Sequence, residues 1–155
     1  MQFTQTASST GIHQVDDVRS ARRKGLPHAL MMAVLTMGFT AFIFGGLLTV
    51  TTLGMPISML DRSPFSSFVI PGLILCFVVG GSELLAARLI WFEHRLAPQA
   101  AFASGCILFG WIAVEAIMIP GGLFVQIPFG LYGLGIVAMS WIYHRRVQPS
   151  RTSNT

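Results

Sequence analysis

The sequence predicts an all-α integral membrane protein. It reads as a four-helix bundle with both termini on the cytoplasmic side and a short interfacial segment between helices one and two. Three observations predict this. Hydrophobic residues fill 53% of the 155 positions and charged residues only 10%, against about 25% charged in an ordinary soluble domain. The apolar residues gather into four runs, each near the ~20 residues a helix needs to cross a bilayer. Lysine and arginine fall at the ends of those runs, so the formal charge of +4 reads as membrane orientation and not as a nucleic-acid stripe.

Residues 1–27 are polar and carry Asp16 and Asp17 followed by Arg19, Arg22, Arg23 and Lys24. A secretory signal would join a short basic start to a brief apolar core and a small-residue cleavage site, and a mitochondrial presequence would be poor in acids. Neither pattern fits. The stretch reads as a mobile cytoplasmic arm, with room for a short interfacial helix at its end. The membrane domain is expected over residues 28–146, with spans near 29–50, 68–92, 100–119 and 125–143, and residues 147–155 as a polar tail.

The first span carries Ala41 and Gly45 at i, i+4, a spacing of small residues that lets two helix backbones approach closely. Thr36, Thr40 and Thr49 can return their hydroxyls to the preceding turn or reach a neighbouring helix. Gly54 and Pro56 end this span, and Met55–Leu60 is apolar but too short to cross, which predicts the interfacial segment. Asp61 and Arg62 form a possible exposed pair worth only ~0–1 kcal/mol. Ser63-Pro64 has the chemistry of a helix start, serine as cap and proline at the first helical position.

In the second span Pro71 sits near the outer end, where a missing N–H costs least. Gly80-Gly81-Ser82 thins the helix just before Glu83, which admits a neighbouring helix or permits a kink. Arg88 is placed to snorkel. The short turn from Glu93 to Pro98 makes spans two and three antiparallel neighbours. Span three repeats the small-residue spacing with Ala101 and Gly105 and breaks at Pro120-Gly121-Gly122. Span four holds Pro128, Gly130, Gly133 and Gly135, then an aromatic anchor of Trp141 and Tyr143 before His144, Arg145 and Arg146. No repeat supports an inverted-repeat transporter. Nine of the ten Lys/Arg residues flank the N-terminal arm, the second-to-third turn or the tail, and only Arg62 lies on the other side. The positive-inside bias therefore puts both ends in the cytoplasm.

Acids are expensive in lipid, and this chain places two there: Glu83 in span two and Glu115 in span three. At ~1.5 Å per residue, Glu83 lies ~13 Å from the inner end of its span and Glu115 ~7 Å from the outer end of its own. They differ by roughly 12 Å in depth, too far to share one proton or one metal ion. The same arithmetic keeps Cys76 and Cys106 about 12 Å apart, beyond the ~7 Å limit for a disulfide. Glu83 falls level with Thr36 or Thr40, and Glu115 with Thr49, Gln126 or Tyr132. Shielded from water, each acid is expected in its neutral form, able to donate a hydrogen bond. The plainer reading of both is interhelical glue. The sharper one is a proton carrier or cation ligand, for which Glu115, beside a broken helix end and Gln126, is the better candidate. The four histidines lie near the span ends without metal-ligand spacing, and no metal or other cofactor is implied. No Ser/His/Asp set, phosphate loop or CxxC occurs, so no catalytic residue is assigned.

The segments Ser63-Pro64-Phe65, Ile70-Pro71-Gly72-Leu73, Val78-Val79-Gly80-Gly81 and Gly110-Trp111-Ile112-x-x-Glu115 resemble an uncharacterised family of small bacterial four-helix integral membrane proteins. The resemblance covers residues 30–143 and implies the same fold and a bacterial plasma membrane; it supplies no activity. Family members often open the last helix with Gln-Pro, where this chain has Gln126-Ile127-Pro128. Three functions are weighed. The first is a non-catalytic accessory or structural component, partnered by the bilayer and by a homo-oligomer or larger membrane complex. The second is a proton-coupled small-molecule transporter using Glu115 or Glu83. The third, an enzyme of lipid or quinone chemistry, finds no assembled site at either face.

Overall fold

A computed structural model describes the backbone of residues 6–52, 54–60, 63–119 and 122–147, and side chains from residue 25 onward within those ranges, except at Leu123 and Val147. The chain is helical, with no strand among the described residues. Helix α1 (Thr6–Val50) leads through a short 3-10 turn (Ile57–Leu60) to α2 (Val69–Trp91), α3 (Ala97–Met118) and α4 (Leu123–Val147). Four segments, Gly25–Val50, Val69–Trp91, Ala97–Met118 and Phe124–Arg146, are long and apolar enough to cross a membrane, with mean hydropathies of 2.0, 2.0, 1.8 and 1.5. Phe77, Trp91, Ile117 and Leu131 point outward. In water such a surface would be a liability, whereas against lipid it is ordinary.

Three local expectations change. First, the N-terminal arm is helical from Thr6 and continuous with the first span, passing through Pro27. Extending an existing helix avoids the cost of nucleating a new one. Second, Ser63-Pro64 does not start α2. The Ser63 hydroxyl oxygen accepts the Phe65 N–H at 3.2 Å, closing a local turn, and the helix begins six residues later, at Val69. Third, α3 begins at Ala97, three residues earlier than expected, with Pro98 in its first turn where no amide hydrogen is needed. His94 Nδ1 accepts the Leu96 N–H at 3.2 Å just ahead of it. The Asp61–Arg62 pair and the side chains of the basic cluster at 19–24 lie outside the described residues.

Helix α2 is not uniform. Its middle, Ile74–Gly80, is wound as a π-helix before α-helix resumes at Gly81. This is the stretch where α1 lies against it. A Cβ on Gly45 of α1 would sit 2.6 Å from the Gly72 carbonyl oxygen and 2.8 Å from the Cys76 Cα, both backbone atoms. A Cβ on Gly80 would come within 3.0 Å of the Phe42 nitrogen. Ala41, one turn before Gly45, is buried and lines the cleft described below, whereas Gly81 faces open space. Helices α3 and α4 pair in the same way: a Cβ on Gly105 would meet Val137 at 2.9 Å and the Gly133 carbonyl at 3.1 Å, with Ala101 fully buried one turn away. Two tight pairs, α1–α2 and α3–α4, are thus joined through α2 and α3. Contact between α1 and α4 is slight.

At the ends, the Arg88 guanidinium stacks 5.9 Å from the Phe92 ring, and that of Arg145 lies 4.9 Å from Trp141. Cys76 is buried beside Gly45, Cys106 is exposed, and both are free.

The glycine contact gives a direct test. Gly45→Ala forces α1 away from backbone atoms that cannot yield and should lower stability in detergent by about 1–3 kcal/mol. Gly46→Ala, with nothing within 4 Å of the added methyl, should be neutral or slightly stabilising. Thermal unfolding of the two variants side by side checks this.

Candidate functional site

The two acids occupy different surroundings. Glu83 lies in the first turn of α-helix after the π segment and is fully buried. Its neighbour on α1 is Gly38, where a Cβ would come within 3.1 Å of the Glu83 Cβ. One carboxyl oxygen, Oε2, lies 3.1 Å from the Ser104 hydroxyl of α3. The same hydroxyl is 3.1 Å from the Ala101 carbonyl. A hydroxyl has one hydrogen and cannot serve both acceptors fully. A neutral Glu83 fits the geometry: the acid donates to Ser104 Oγ, and the serine donates to Ala101. The other carboxyl oxygen has no hydrogen-bond partner among the described residues.

Thr36 and Thr40, which stand level with Glu83 by residue count, do not serve it. The Thr40 hydroxyl donates to the Thr36 carbonyl at 2.8 Å, within α1. Ser104 is the partner that residue counting missed. Glu83 and Ser104 lie at equal distances along the chain from the turn at Glu93-His94, and in a tight antiparallel hairpin that symmetry pairs them. The signal was present but needed the turn's centre.

Glu115 stands elsewhere. It lines a cleft of about 380 Å³ at the slack α1–α4 seam. Met37, Thr40, Phe44 and Leu48 of α1 form one wall, and Val125, Gln126 and Phe129 of α4 form the other. Leu108, Ile112 and Glu115 of α3 lie behind them. Gln126, on the first turns of α4, is 4% exposed, and its Oε1 has no hydrogen-bond partner among the described residues. Its amide nitrogen lies over Gly122, where a Cβ would approach to 2.8 Å. On its other side Glu115 borders a small cavity of about 70 Å³ roofed by Leu60, Phe65 and Phe68. Trp111 lines it too, and its indole N–H is also unpartnered among the described residues.

Two residues expected beside Glu115 lie apart from it. The Thr49 hydroxyl donates to the Gly46 carbonyl at 2.6 Å, and its methyl packs towards Gly72 at the α1–α2 contact. Neither cavity at Glu115 includes it. Tyr132 donates its hydroxyl to the Ala33 carbonyl of α1 at 3.1 Å. This bond pins the seam at one end, and the cleft opens at the other. Of the expected polar group, the structure brings Glu115 and Gln126 together and leaves Glu83 and Thr49 apart.

Comparison with protein-family models, with curated proteins and with solved structures finds no match to this chain.

The buried pair gives the second test. Ser104→Ala removes the hydrogen-bonding partner of Glu83 and should cost about 1–3 kcal/mol. Adding Glu83→Met to that variant should recover a large part of the loss, because replacing both partners with apolar groups of similar size removes the unmet polar atoms. Detergent unfolding of the two single variants and the double variant measures the coupling.

Proposed function

We propose that this chain is a non-catalytic multi-pass membrane component, an accessory subunit or a small homo-oligomer. The observation that carries the reading is Glu83. Fully buried and bonded to Ser104 on the next helix, it acts as glue between the two helix pairs, the role in which an intramembrane acid needs no cofactor or substrate. The close glycine contacts of α1–α2 and α3–α4 agree with a molecule built for fixed packing.

The protein resides in a bacterial inner membrane with both termini in the cytoplasm. Arg88 and Arg95 flank one end of the second and third spans, Arg145 and Arg146 close the fourth, and these ends face the side that favours positive charge. Four crossings return the chain to the side from which it started. The likeness to small bacterial membrane proteins supports the same location.

A second reading, a proton-coupled carrier, has one observation in its favour. Glu115 and Gln126, whose Oε1 has no hydrogen-bond partner among the described residues, share a cleft at the slack α1–α4 seam.

Mild extraction and affinity purification test the first reading. A stable homo-oligomer or one fixed membrane complex is the expected result. A monomer with no partner, together with substrate flux in proteoliposomes that Glu115→Gln abolishes, would favour the carrier. Cysteine labelling of the tail in whole cells tests orientation: a tail that reacts with impermeant reagent from outside overturns the topology.

A further inference from the structure

We propose that the cleft between α1 and α4 is a binding site for a lipophilic ammonium ion, a primary amine on an apolar tail, entering sideways from the lipid. The proposal goes beyond the accessory role and does not rest on it. A carrier would need such a site, but the site does not require transport.

The polar groups in the cleft define the ligand's head. Thr40 has already given its hydroxyl hydrogen to the Thr36 carbonyl, so towards the cleft it offers only lone pairs. Gln126 is 4% exposed and its carbonyl oxygen has no partner among the described residues, and Glu115 adds its carboxyl group from α3 behind it. These groups present oxygen lone pairs, and with no lysine, arginine or histidine among the described lining residues the cleft suits a ligand that brings donors and positive charge. Once ionised, Glu115 repels carboxylates and phosphates. A primary ammonium carries three N–H donors and the charge that complements a carboxylate. Neither ion is tolerable alone in hydrocarbon, so the pair forms together or not at all.

The walls define the tail. Met37, Phe44, Leu108, Ile112 and Phe129 supply apolar surface, and about 380 Å³ lies in the range of small-molecule sites. The route in follows from exposure. Phe44 and Val125, on opposite lips, are 52% and 58% exposed at the face that meets lipid. At the other end the Tyr132–Ala33 hydrogen bond holds the seam shut. A molecule already dissolved in the membrane therefore reaches Gln126 and Glu115 without crossing water.

The test uses the purified full chain in phosphatidylcholine nanodiscs, titrated calorimetrically with octylamine against empty nanodiscs. Saturable binding near one octylamine per chain is expected. Octyltrimethylammonium, equally charged but without N–H donors, should bind at least tenfold more weakly, and octanol weaker still. Glu115→Gln and Gln126→Ala should each weaken octylamine binding tenfold or more. The comparison of ligands on the unaltered protein stands even if a variant fails to fold. Equal affinity for the two cations overturns the proposal, as does octanol binding as tightly as octylamine, or no saturable binding in phosphatidylcholine. Unchanged affinity in both folded variants overturns it as well. Phosphatidylethanolamine nanodiscs identify the source of the ammonium. Competition there assigns it to a lipid headgroup, and undiminished binding assigns it to a free amine; both support the site.

Discussion

Where Gly45 of α1 crosses Gly72 and Cys76 of α2, no side chain fits between the two backbones. In lipid this kind of contact substitutes for the hydrophobic effect, which provides little drive when the solvent is as apolar as the side chains. Much of the bundle's shape follows. Dispersion falls off steeply with distance, so helices that touch backbone to backbone gain far more than helices held apart by side chains. Helix α1 is committed to α2, and Gly105 and Gly133 commit α3 to α4 in the same way. With two interfaces this tight and a third closed by a short turn, the α1–α4 interface takes up the remaining misfit. The cleft is the consequence of good packing elsewhere.

The π-wound stretch of α2 belongs to the same constraint. Each π turn holds more residues than an α turn and so rotates everything beyond it about the helix axis. Residues Ile74–Gly80 lie along α1, and the rotation decides which residues face it afterwards. Cys76, Val79 and Gly80 are buried there, and Glu83 then emerges at the junction of α1, α2 and α3. Gly80-Gly81-Ser82 reads in sequence as a thin patch or a kink. The structure realises it as the point where π winding ends, and only Gly80 of the two glycines is packed.

What was legible in the sequence was what depends on composition and chain direction. Four helices of crossing length follow from the apolar runs, because a backbone in lipid must satisfy itself within each helix. The polar partners were less legible. Depth counted along each helix places Glu83 level with Thr40, but depth is one coordinate and rotation about the axis is another. The π segment altered that rotation, and Thr40 satisfied itself within its own helix. Thr49 was lost to the Glu115 site for the same reason, its hydroxyl taken by Gly46. Ser63-Pro64 has the composition of a helix start, yet the serine hydroxyl was used two residues on, in a turn. Short polar side chains choose among nearby backbone groups by distances of a few tenths of an ångström, which residue spacing does not encode.

The two acids show how such a molecule can divide structure from function. Lipid offers no water to an unmet polar group, so each group must find its partner inside the chain or in something the chain binds. Glu83 takes the first course in part: Ser104 meets one of its oxygens, α1, α2 and α3 close around it, and its second oxygen has no partner among the described residues. The side chain of Gln126 has no partner for its Oε1 at all among the described residues. It is as hidden as a core residue, sits in the first turns of α4, and lines the cleft with Glu115 while its carbonyl oxygen has no partner among the described residues. If packing alone had shaped that corner, leucine would serve better at position 126, since it would fill the same volume without an unmet dipole. Tyr132 sharpens the contrast. One helical stretch further along the same seam, a polar side chain reaches across to Ala33 and closes the gap. The seam can therefore be bridged by hydrogen bonding within the chain, and at Gln126 the described residues form no such bridge, so a polar side chain stands unmet where the looser packing of α1 against α4 leaves room.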